Sequence, residues 1–184
     1  MKLSILVSLQ LLNRKIRQLC LLSTFCFLSF VSIGQNLVLN SGFDSIISCP
    51  PSGGTASATL NLAYHWYDPT GISSDLLNAC HATFSSVPSN SVGYQLARSD
   101  SGYAGFISYW ENIGSWSDGK EYLTGHLSES LIVSTKYYLE FYVSLADNSK
   151  YGTSLIGAYL STDSMEYDGS LFLPLTPQVK NDTG

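Results

Sequence analysis

The first 34 residues of this 184-residue chain contain no aspartate or glutamate, and all 14 acids come later. What that stretch holds instead is a basic front of Lys2, Arg14, Lys15 and Arg17, then an uncharged run from Leu19 to Ile33. The run closes on Ser32 and Gly34, small residues three and one positions before Gln35. A basic front, a short apolar run and a small-residue exit describe an export signal over residues 1–34. At about 1.5 Å per residue the run reaches roughly 22 Å, short of the ~30 Å hydrocarbon core, so a retained anchor is disfavoured. Neither Cys20 nor Cys26 has the small-residue context of a lipoprotein.

Bases are scarce in the remainder. Five lysines and arginines face 14 acids after residue 34, a net charge near −9. Such a surface repels phosphate backbones and anionic lipid, which excludes nucleic acid and the membrane surface as expected partners. It suits an exported module, or one that recruits divalent cations.

Cysteine is scarce as well. Cys20 and Cys26 leave with the signal, and Cys49 and Cys80 remain. Two thiols in an oxidising compartment predict a disulfide. Closing that loop would stabilise the fold by about 3–4 kcal/mol in the chain-entropy model. A metal site on two lone cysteines, with His81 the one neighbour of suitable type, is disfavoured.

No window shows sustained helical periodicity with caps. Short alternating stretches predict strands at 36–39, 62–67, 93–98, 103–110 and 121–127, with the longest at 131–146 and a hairpin partner at 154–161. Residues 72–91, rich in serine and carrying Pro88, read as an extended loop. Turn signals recur at Asn40–Asp44, Asp68–Gly71 and Asp147–Lys150. The pattern predicts an all-β fold, a β-sandwich forming one domain over residues 35–184. The ending Leu173-Pro-Leu-Thr-Pro-Gln-Val-Lys-Asn-Asp-Thr-Gly184 supplies no closing strand, so the sandwich is expected to be incomplete.

Signatures of catalysis are also missing. A glycosidase needs two carboxylates facing one bond, and the nearest pair is Glu166-Tyr-Asp168, in a loop. There is no Gly-x-Ser-x-Gly elbow, and His65, His81 and His126 lie in unrelated sequence contexts. The expectation is a non-enzyme.

Several short motifs follow one another in a specific order. They are Asn36-Leu-Val-Leu-Asn-Ser-Gly-Phe-Asp44, Ser48-Cys-Pro50, Ala63-Tyr-His-Trp66, Leu77-Asn-Ala-Cys80, Val87-Pro-Ser-Asn90 with Gly93-Tyr-Gln95, Gly102-Tyr-Ala-Gly105, Glu121-Tyr122, and Phe141-Tyr-Val-Ser-Leu-Ala-Asp-Asn-Ser149. This order, over most of residues 36–180, resembles the N-terminal β-sandwich domain of secreted and outer-membrane proteins of Bacteroidetes-type bacteria. There the domain precedes an outer-membrane protein A-like domain, a gliding-motility-associated C-terminal domain or a sorting tail. The opening Asn-Leu-Val-x-Asn-x-x-Phe-acid is also similar to the first strand of galactose-binding-like carbohydrate-binding modules. That likeness implies a jelly roll and a possible structural calcium held by Asp44, the carboxylate just after the first strand. The chain departs from the resemblance by stopping soon after Pro177-Gln178, where relatives continue for several strands.

Aromatic residues carry the binding expectation. Tyr109, Trp110 and Trp116 flank the polar stretch Glu111–Ser115 and are the candidate platform for the apolar faces of sugars. Trp66, Phe141 and Tyr159 are assigned to packing. Asp147 and Asn148 follow the longest predicted strand. They read first as a turn that bonds its own backbone and fixes the hairpin to Tyr151, and second as binding groups. The functional expectation is an exported surface or envelope module that recognises glycan weakly. Its rivals are a purely structural spacer and, further off, a glycoside hydrolase.

Overall fold

The computed structural model describes residues 34–51, 59–71, 73–111, 119–153, 155–166 and 172–181. The chain divides into Met1–Asn36 and Leu37–Gly184. The expected signal segment lies, but for Gly34, outside the described residues. Everything below concerns the second unit.

Among the described residues there is no α-helix. Eight short strands form four antiparallel pairs. They are β1 (Trp66–Tyr67), β2 (Asp75–Asn78), β3 (Ser89–Asn90), β4 (Gly93–Tyr94), β5 (Gly102–Gly105), β6 (Thr124–Gly125), β7 (Gly157–Ala158) and β8 (Val179–Lys180). β1 pairs with β6, β2 with β5, β3 with β4 and β7 with β8. Single bridges join Val38 to Leu127, Ile46 to Ala63 and Trp110 to Gly119. The fold is thus mostly β with long irregular connections.

The core gathers around β2 and a 3-10 turn, Thr59–Leu62. Leu60 and Leu76 are wholly buried, with Ala63 and Leu77 beside them. Each fully buried leucine contributes about 1.5–3 kcal/mol. The turn is tied to β2 and the residue before it: Leu60 N–H donates to Ser74 O at 3.0 Å, and Leu76 N–H to Thr59 Oγ1 at 2.9 Å. β5 can lie against β2 because residue 102 is glycine. A Cβ there would meet Phe43 O at 2.7 Å and Leu77 O at 3.2 Å, backbone atoms with no room to yield.

β2 falls inside 72–91, the stretch predicted to be a loop. Asp75-Leu-Leu-Asn78 has no alternation because both leucines are buried, so period-two reasoning passes over it.

The opening motif is a structural clasp. Asn40 Nδ2 donates to Ser45 O and to Tyr64 O, both at 2.9 Å, and Asn40 Oδ1 accepts Ser45 N–H at 3.0 Å. Trp66 Nε1 donates to Asn40 O at 2.9 Å, and its ring packs 4.5 Å from that of Phe43. Asn40 and Phe43 both have positive φ, of 48° and 58°, a conformation asparagine tolerates better than most residues. The disulfide Cys49–Cys80 then ties this end to the segment after β2, with a Cα–Cα distance of 5.9 Å.

The longest predicted strand is a correction. Residues 135–146 belong to no ladder, and among the described residues no backbone hydrogen bond joins 136–145 to any neighbour. Its expected hairpin partner is engaged elsewhere, since β7 pairs with β8 in the register Gly157↔Lys180. Side chains lengthen that pairing: Gln178 exchanges hydrogen bonds with Leu160, and Asn181 with Ile156. Without a partner the segment stays exposed, Phe141 at 49 %; Tyr159, just past β7, is 42 % exposed, so neither is the packing residue expected. Trp66 does pack.

Candidate functional site

The expected platform is held by a two-hydrogen-bond bridge. Trp110 N–H donates to Gly119 O at 3.0 Å, and Gly119 N–H returns to Trp110 O at 3.1 Å. The Trp110 indole lies over Gly119, where a Cβ would come within 2.7 Å of three indole carbons. Trp110 is therefore half-buried, while Tyr109 beside it is 48 % exposed. Trp116 lies outside the described residues.

Asp147 and Asn148 reach across to the β3–β4 hairpin. Asp147 Oδ2 accepts Tyr94 N–H at 2.8 Å, Asn148 N–H donates to Val92 O at 3.3 Å, and Asn148 Nδ2 to Ser91 O at 2.9 Å. Gly93 makes this possible. Its φ is 141°, and a Cβ there would sit 2.5 Å from Asp147 Oδ2. The expected local tie from Asp147 to Tyr151 is replaced by this long-range one. Ser149 closes the corner instead, donating its N–H to Ala146 O at 2.9 Å and its hydroxyl to Tyr151 O at 2.9 Å.

Asp44 Oδ1 accepts Ser101 N–H at 2.8 Å and Ser101 Oγ at 3.3 Å, tying the opening clasp to the start of β5. No group of three His, Cys, Asp or Glu side chains suited to a metal occurs among the described residues. His81 is buried, and its Nδ1 accepts Thr83 N–H at 3.1 Å. Glu166 is exposed; Asp168, its sequence partner, lies outside the described residues.

Sequence reasoning passed over a knot of acids beneath β2. Glu121 is buried, accepts a hydrogen bond from the Ser73 hydroxyl, and accepts Ile107 N–H on Oε2 at 2.6 Å. Its own N–H donates to Ile107 O at 2.9 Å. Asp68 Oδ1 accepts both the N–H (2.8 Å) and the hydroxyl (2.7 Å) of Thr70, and its Oδ2 accepts Ser74 N–H at 3.2 Å. Asp75 accepts the Thr59 hydroxyl at 3.2 Å.

Burial pushes the Asp75 carboxyl up to about 6, with the Thr59 hydroxyl opposing and the charge of Glu121 assisting. Burial likewise raises Glu121, against the Ser73 and Ile107 hydrogen bonds and with help from Asp68. Perturbed carboxylates in proximity are what an acid–base site uses, but structural networks perturb them too. Here each acid is occupied by hydroxyls or amides that join Ser73–Asp75 to Ile107 and Glu121. Every buried polar side-chain atom among the described residues has a partner. Glu121 lies more than 40 residues beyond Asp68 and Asp75 in the chain, so no local motif could have announced their meeting.

The β1–β6 pair also unites two histidines read as unrelated. With Trp66 opposite Gly125, His65 stands opposite His126. A shallow open depression is lined by Ala82, Thr83, Phe84, Ser86, Pro88 and Asn90, which are mostly small or polar. Among the described residues no helix is long and apolar enough to cross a membrane. No family model, no curated protein and no solved structure matches the chain.

Proposed function

We propose that this chain is an exported, non-catalytic, jelly-roll-like β module that recognises glycan at the surface or envelope of a bacterial cell. The observation that carries the reading is an exposed Tyr109 next in the chain to Trp110, whose backbone is held by the bridge to Gly119. The exposed Tyr109 ring offers an apolar face, and the exposed Glu111 two residues on supplies a polar neighbour. Aromatic rings so placed have one apolar side and a polar rim, the combination a sugar's C–H face and hydroxyls require. The disulfide and the leader-like N-terminus support the exported address. The hydrogen-bonded state of Asp68, Asp75 and Glu121 supports binding over hydrolysis.

The test is a glycan array probed with residues 35–184, alongside Tyr109→Ala and Trp116→Ala variants. Hits that both variants lose, with an unchanged melting temperature, are the expected result. An array blank for the parent protein would leave the spacer role, and turnover of a chromogenic glycoside would establish the hydrolase.

A further inference from the structure

We propose that His65 and His126 form a two-imidazole site for a divalent transition-metal ion of the copper, nickel and zinc class. The register of β1 and β6 sets the two residues directly opposite each other, and His126 N–H donates to His65 O at 3.0 Å. The ring centroids are 6.4 Å apart at 65° to one another, and both residues are exposed. Neither ring has a hydrogen-bond partner among the described residues, so nitrogen lone pairs on both are open to a ligand.

A metal takes imidazole nitrogen at about 2.0–2.1 Å, which for two neighbouring ligands on one ion brings the ring centroids to roughly 4.5–5.2 Å. The pair therefore needs to close by about 1–2 Å, within the reach of rotation of exposed side chains. The backbone beneath is already set. His65 has a φ of 70°, a left-handed conformation histidine adopts more readily than most residues. It is fixed between Tyr64 O, which accepts Asn40 Nδ2, and Trp66, whose N–H donates to Ala63 O at 3.2 Å. The Tyr67 ring, 5.7 Å from that of His126, walls one side.

Ligand type selects the ion. Imidazole suits copper, nickel and zinc, whereas calcium and magnesium demand oxygen. With no third side-chain ligand among the described residues, water completes the shell. Such a site is an open chelate on the surface, unlike a closed structural centre. It is independent of the aromatic pair proposed to hold glycan.

The experiment is calorimetric titration of Cu(II), Ni(II), Zn(II) and Ca(II) separately into residues 35–184, with electron paramagnetic resonance of the copper form. One equivalent of copper or nickel should bind, with a nitrogen-coordinated copper spectrum, and calcium should not compete. His126→Gln and His65→Asn, the latter chosen to tolerate the left-handed backbone, should each weaken binding by about tenfold or more, and the double variant little further. His81→Gln should leave the affinity unchanged. Metal-free melting temperatures equal to the parent's show that the variants fold. No binding by the parent, or binding that survives in both single variants, overturns the proposal.

Discussion

Two stretches of this chain read one way on paper and behave the other way in the fold. Leu76 and Leu77 in β2 sit at 0 % and 4 % exposure, while Val143 and Leu145, in a cleaner alternation, sit at 60 % and 57 %. The difference is company. β2 is met by β5 on one edge and by the 3-10 turn, and its flanks are pinned through Asp68, Ser74 and Glu121. Residues 135–146 touch their surroundings through side chains: Arg98 stacks 4.3 Å over the Tyr142 ring, and Asp147 and Asn148 hold the far end. Alternation says that a strand would be amphipathic. It does not supply the neighbour that makes one.

The largest effect that would sharpen this contrast is Leu76→Ala. It empties the middle of the core and should cost about 2–5 kcal/mol, read as a lowered denaturant midpoint. Removing the disulfide with Cys49→Ser and Cys80→Ser together should cost about 3–4 kcal/mol by the loop-closure model. A smaller loss would mean that the Asn40 clasp alone holds the two ends together.

The acid knot predicts an unusual pH response. An acid whose folded value is raised keeps its proton longer in the native state, so its stabilisation is fully present below its unfolded value. It is then lost as the pH climbs through the folded value. For Asp75 that window runs from 3.8 to about 6, and Glu121 shifts in the same direction. The melting temperature should therefore be higher at the acid end of the window than at neutrality. Asp75→Asn, which still accepts from Thr59, should flatten the slope. A melting temperature rising through the window would show that the buried carboxylates are stabilised as anions.

The smallest effect is the control on the other stretch. Leu145→Ser should change stability by no more than about 0.5 kcal/mol, because nothing covers that side chain. A loss comparable to that of Leu76→Ala would reveal a partner for residues 135–146 and erase the contrast.

Much of the frame was legible from residue types. Cys49 and Cys80 are the two thiols that follow residue 34, so their pairing followed from the count. Asn40, Gly71, Asp147 and Asn148 fall at corners, as their backbone preferences require. β2 was illegible because a strand buried on both faces has no period. The Asp75–Glu121 and His65–His126 neighbours were illegible because chain separations of that length are closed by strand pairing alone. Phe141 was misread because hydrophobicity does not create the surface it would pack on.

Composition by itself therefore determined the acidic surface, the strand-and-turn character and the sulfur crosslink, since charge, backbone preference and thiol chemistry belong to individual residues. The tertiary structure decided which segments became core, which acids lost their water and which imidazoles came face to face. Those properties belong to pairs of residues, and a pair exists only once antiparallel edges have met.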